Sequence, residues 1–135
     1  MRISFQDRLF HAYAALERKR HKLLYVFLEI TNTCNLSCLH CGSDCSTVSR
    51  GAVLDTESWI RIIEYFGARY PDVSIVVTGG EPLMHPDFAT ISRALGDSGL
   101  RWGMVTNGTL MDEQTVENLR TCGMRQITIS LDGPR

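Results

Sequence analysis

Two spacings of apolar residues divide the chain. Over residues 4–20, Phe5, Leu9, Ala12, Tyr13 and Leu16 recur at helical spacing. Ser4 and Asp7 stand where a capping box places its two partners, with Asp in place of the usual Glu or Gln. The basic run Arg18-Lys19-Arg20-His21-Lys22 follows, where cations suit the negative end of a helix. The pattern predicts an amphipathic helix with a solvated basic end. Residues 23–31, LLYVFLEIT, are instead almost continuously apolar, interrupted by Glu29. That run predicts a strand covered on both faces, as in a parallel sheet.

The two patterns then alternate. Residues 43–53 are polar and read as a loop. Asp55 or Thr56 caps a helix whose stripe is Trp59, Ile62, Ile63, Phe66 and Tyr70, with Pro71 past its end. Val73–Thr78 reads as a strand. His85-Pro86 opens a helix with Phe88, Ile91 and Leu95 facing inward and Gly96 at its end. Leu100–Thr106 is a further strand. Asp112 caps a helix bearing Val116 and Leu119, closed by Gly123, and Arg125–Ser130 is a strand with Ile127 and Ile129 on one face. Such alternation implies parallel strands with right-handed crossovers. The expected fold is α/β: a partial (β/α) barrel of about four parallel strands with crossover helices, behind an N-terminal amphipathic helix. Residues 1–22 form the helical extension and residues 23–135 the barrel portion.

Composition narrows the function. The chain has 135 residues, the size of one domain, and is 44% hydrophobic. A net charge of −1 offers no field for nucleic acid or an anionic membrane surface. No apolar run approaches the roughly 20 residues that span a bilayer. Five cysteines without a leader sequence point to a reducing, cytoplasmic setting and thiolate chemistry.

Four of those cysteines fall in CNLSCLHCGSDC. Cys34, Cys38 and Cys41 are separated by three and then two residues, and Cys45 follows. Three thiolates suit a cubane iron–sulfur cluster with one iron left open, and an open position is where chemistry happens. Two other readings use all four cysteines: a zinc-stapled interaction domain, or an electron-transfer or cluster-carrying module. Three more unusual stretches follow later strands: Gly79-Gly80-Glu81-Pro82, Thr106-Asn107-Gly108 and Ser130-Leu131-Asp132-Gly133. In parallel β/α folds the carboxyl ends of strands carry the ligand site, so these loops are expected on one rim. The glycine pair supplies a backbone able to approach a ligand closely.

In these four stretches the chain resembles the radical S-adenosylmethionine (SAM) enzymes. TNTCNLSCLHC resembles most the branch with SPASM-type C-terminal domains, many of which modify peptides or proteins. The resemblance runs from about residue 24 to the end. It implies a 4Fe–4S cluster on Cys34, Cys38 and Cys41, and SAM chelating the open iron. It further implies reductive cleavage of SAM to a 5′-deoxyadenosyl radical that takes hydrogen from a peptide or protein substrate. Gly79, Gly80, Glu81 and Pro82 would receive the methionyl ammonium, and Ser130 the carboxylate or ribose. Asn107 and Asp132 would contact SAM or substrate or shape their turns. His40 occupies a position that is usually aromatic in the family and would lie beside the adenine or the cluster. Cys45 has no counterpart among the family's ligands. The step needs no acid–base or nucleophilic residue. It needs a one-electron reductant of flavodoxin or ferredoxin type. The family's barrel has six strand–helix units, so the resemblance implies an amino-terminal part of a longer enzyme, or a chain completed by a partner.

Overall fold

The computed structural model describes residues 4–20, 22–43, 45–47 and 52–131. After helix α1 (Phe5–Arg20), strands and helices alternate: β1 (Tyr25–Thr31), α2 (Thr56–Arg69), β2 (Ser74–Gly79), α3 (Phe88–Asp97), β3 (Arg101–Thr106), α4 (Glu113–Thr121) and β4 (Gln126–Ile129). The four strands form one parallel sheet in chain order. Leu28, Val77, Met104 and Ile127 lie in register across it. Sequential order puts each strand's carboxyl end beside the next, as the partial barrel requires.

The core lies between the sheet and its crossover helices. Ile30, Ile75 and Val77 from the sheet and Ile63, Ile91 and Leu95 from the helices are fully buried, with Trp102 and Met104 nearly so. Burying such a side chain contributes about 1.5–3 kcal/mol each. The Trp102 indole N–H donates to the Cys122 carbonyl at 3.0 Å, so its polar edge is satisfied within this core. Helix starts follow the sequence closely. Asp55 accepts from the Ser58 N–H and Asp112 from the Thr115 N–H, each at 2.7 Å. Ser4 and Asp7 form the reciprocal box in full, each side chain accepting the other's backbone N–H.

Three expectations, on the strand from residue 23, on Gly96 and on His85-Pro86, need correction. The strand from residue 23 is covered on one face only: Leu28 and Ile30 are buried, whereas Tyr25 and Phe27 are over 60% exposed. Among the described elements, helices cover one side of the sheet, and the other side forms a hollow of about 470 Å³ lined by Tyr25, Phe27, Val76, Gly103 and Thr128. The stripe of α1 is exposed at Phe5, Leu9, Tyr13 and Leu16, because α1 has no extensive packing against the other elements. Gly96 does not end α3. It lies inside the helix, where a Cβ would meet the Cys122 carbonyl oxygen at 2.7 Å; Gly99, at φ +71°, makes the turn. His85-Pro86 precedes α3 rather than opening it. Pro82–Met84 form a single 3-10 turn capped by His85, and Asp87 stands at the N-cap of α3.

Candidate functional site

The cysteine loop leaves β1 and is tied back to it. Thr33 and Ser46 form an isolated parallel bridge, and the Cys34 N–H donates to the Ser46 carbonyl at 2.9 Å. The two arms of the loop are thus clamped together at their base. Leu36 N–H then donates to the Cys34 Sγ at 3.4 Å, turning the chain around that sulfur.

The loop after β2 docks onto the same backbone. Gly80 N–H donates to the Thr31 carbonyl and Glu81 N–H to the Thr33 carbonyl, both at 2.8 Å. A Cβ on Gly79 would meet the Thr31 oxygen, and a Cβ on Gly80 the Thr33 oxygen, each at 2.2 Å. Gly79 also has φ +128°, a conformation that L side chains rarely adopt. The cysteine loop's own entry therefore demands both glycines.

Glu81 is fully buried, and three donors meet its carboxylate. Oε1 accepts from Thr106 Oγ1 at 2.8 Å and from the Leu83 N–H at 3.2 Å. Oε2 accepts the backbone N–H of Asn107 at 2.8 Å. A buried carboxylate needs such partners, since each unmade bond would cost its desolvation. The side chain fastens the loop after β2 to the loop after β3. Asn107 in turn reaches the cysteine loop: its Nδ2 donates to Asn35 Oδ1 at 2.8 Å and to Cys34 Sγ at 3.8 Å. Asn35 Nδ2 donates to Thr109 Oγ1 at 2.8 Å. Three loops from three strand ends are joined into one rim.

The predicted residues divide accordingly. Cys34, Gly79, Gly80, Glu81 and Asn107 meet in this network. Pro82 is buried at the start of the 3-10 turn. Cys38 is half-buried, and Cys41 and His40 are exposed on the cysteine loop. Ser130 is exposed, and its N–H donates to the Thr106 carbonyl at 3.0 Å, extending the pairing one residue past β4. Asp132 lies outside the described residues. Cys45 stands against the triplet. Its thiol pKa is pushed up first by partial burial, then by the neighbouring Cys41 and Cys34 sulfurs, a hydrogen bond with Cys41, and Glu29. Asn35 and Thr109 were missed by sequence reasoning, although Thr109 directly follows the Thr106-Asn107-Gly108 stretch.

The donor set can be tested against a cluster. Among the described residues, no three His, Cys, Asp or Glu side chains converge as a single metal ion requires. A cubane instead takes its thiolates at separate irons, so its ligands need not share one point. Two N–H groups directed at Cys34 Sγ suit a sulfur that carries negative charge. Three thiols on one short loop, with donors already in place around the first, fit that group.

The chain has relatives among known proteins. The model of the family described as "Radical SAM superfamily" matches residues 28–135. The AdoMet-dependent heme synthase of Methanosarcina barkeri is 40% identical over 106 residues, 78% of this chain and 30% of that protein. The PqqA peptide cyclase of Ruegeria pomeroyi is 29% identical over 105 residues, 78% of this chain and 28% of that protein. The chain therefore spans less than a third of the length of these relatives. Among solved structures, BtrN in complex with AdoMet and 2-DOIA superposes with a TM-score of 0.71 at 18% identity, over 84% of this chain and 48% of that one. That likeness is one of fold.

Proposed function

The chain belongs to the radical SAM superfamily, whose match covers residues 28–135, and from that membership we propose that Cys34, Cys38 and Cys41 hold the 4Fe–4S cluster at which S-adenosylmethionine is cleaved. The single observation that carries the reading is the rim itself, where loops from three strand ends meet at Cys34. When bound, the cluster and SAM would supply one-electron reductive cleavage of the sulfonium, with release of methionine, and hydrogen-atom abstraction from the substrate.

This chain's own residues bind and orient. The clamp between Cys34 and Ser46 fixes where the first thiolate emerges. Gly79 and Gly80 bring the backbone after β2 against the cysteine loop, and Gly79 to Pro82 form the edge that receives the methionyl ammonium. The Glu81 carboxylate is taken up by Thr106, Leu83 and Asn107, so the backbone of this stretch, rather than that carboxylate, faces the ligand. Ser130 would contact the SAM carboxylate or ribose, Asp132 would contact SAM or substrate or shape its turn, and His40 would lie beside the adenine or the cluster. Cys45 stays outside the ligand set. A one-electron reductant of flavodoxin or ferredoxin type feeds the site in the cytoplasm.

The substrate is a peptide or protein, a reading supported by the relative named for peptide cyclisation. The relative named for heme synthesis matches an equal share of this chain.

Anaerobic incubation of the reconstituted protein with SAM and dithionite is expected to yield 5′-deoxyadenosine. Changing Cys34, Cys38 or Cys41 to Ala should drop the yield to background. Equal yields in parent and variants would contradict the ligand assignment. Deuterium carried from a labelled peptide into 5′-deoxyadenosine supports the substrate class, and transfer from a labelled porphyrin instead would overturn it.

A further inference from the structure

We propose that Asn107 sets the electronic poise of the cluster by donating a hydrogen bond from its side-chain amide to the Cys34 thiolate. The inference rests on the reading of Cys34 as a cluster ligand. It assigns Asn107 to the sulfur rather than to SAM.

The side-chain amide has a defined orientation. Asn107 Oδ1 accepts the Thr109 N–H at 2.9 Å and the Thr109 hydroxyl at 2.7 Å. A backbone N–H can only donate, so the oxygen must face Thr109 and the NH2 must face the cysteine loop. There one N–H group has Asn35 Oδ1 at 2.8 Å, and Cys34 Sγ lies at 3.8 Å from the same nitrogen. The backbone is held as firmly, because Asn107 N–H ends on the buried Glu81 carboxylate at 2.8 Å. Asn107 is thus fixed at both its main chain and its side chain, with its remaining donor directed at a ligand sulfur. Leu36 N–H, at 3.4 Å, is the second donor to that sulfur.

The physical consequence follows from charge. A donor to a ligating thiolate draws electron density from the sulfur and stabilises the more negative, reduced cluster. Removing it makes reduction harder. Asn107 is therefore a positioning residue acting through Cys34.

The test is a potentiometric titration of the reconstituted protein, followed by electron paramagnetic resonance, for the parent, Asn107→Ala and Asn107→Asp. Asn107→Asp retains an acceptor for Thr109 and presents oxygen instead of N–H to the sulfur. Both variants are expected to move the potential to more negative values. The expected size is about tenfold in the reduction equilibrium, or 59 mV for one electron. The parent should also show an exchangeable-proton hyperfine coupling that is lost in both variants. Variants that load iron and sulfide like the parent but retain its potential and its coupling overturn the inference while leaving the ligand assignment standing. A parent protein that assembles no cluster overturns both.

Discussion

The carboxylate of Glu81 accepts the backbone N–H of Asn107 at 2.8 Å, joining two loops that lie 26 residues apart in the chain. Together with Thr106 and Leu83 it turns a buried acid into a strut beneath the rim. Glu81→Gln puts an amide NH2 where only acceptors fit, so one donor is left facing another. The expected cost is about 1–3 kcal/mol, read as a lowered urea midpoint at unchanged slope. Glu81→Ala leaves all three donors without their partner and should cost at least as much. Midpoints equal to the parent's in both variants would contradict the strut.

Gly80→Ala probes the docking of the loop after β2. Its Cβ would lie 2.2 Å from the Thr33 carbonyl oxygen, and neither backbone can give way without breaking the Glu81–Thr33 bond. A loss of stability of about 1–3 kcal/mol or more is expected, as for other overpacked sites. Cluster loading, measured as bound iron and sulfide, should fall with it. Normal loading at normal stability would show that the two loops separate freely.

Much of this architecture is legible in the sequence, and the exceptions share a cause. Strand–helix alternation, the Asp55 and Asp112 caps, and the position of each motif at a strand end depend on residues near one another in the chain. Which face of β1 is covered depends on elements elsewhere, so the apolar run 23–31 gives the strand but not the exposure of Tyr25 and Phe27. Gly96 reads as a helix terminus by residue type, yet its small size is used against Cys122, on another element. Glu81 and Asn107 are visible as unusual residues. That one bonds the other, and that Asn107 bonds Cys34 across 73 positions, is a property of the folded rim alone.

The pH dependence of stability should include a contribution from His85. This side chain is 7% exposed, its Nδ1 accepts the Asp87 N–H at 3.1 Å, and burial pushes its pKa down, with Asp87 opposing. The unfolded chain therefore takes up the proton first. The contribution is complete above the ordinary value of about 6.5 and is lost as pH falls from there towards the lower folded value. Urea midpoints measured from about pH 8 to pH 5 should fall across that window. In His85→Asn, which keeps an acceptor for Asp87, that slope should flatten. An unchanged slope would place the titrating group elsewhere.

The exposed stripe of α1 should contribute little to the stability of the β/α unit. Leu9 and Tyr13 are 62% and 61% exposed, so Leu9→Gln and Tyr13→Gln are expected to move the urea midpoint by no more than about 0.5 kcal/mol. A larger loss would show that the stripe is packed against the rest of the protein in solution.

The central claim is that three thiolates leave one iron open to SAM. The most direct measurement is the electron paramagnetic resonance spectrum of the reduced, reconstituted protein before and after SAM is added. A spectrum that changes shape on addition, in the parent and equally in Cys45→Ala, is the predicted result. A signal indifferent to SAM in the parent that becomes responsive only when Cys45 is removed would contradict it, because the fourth corner would then belong to a side chain.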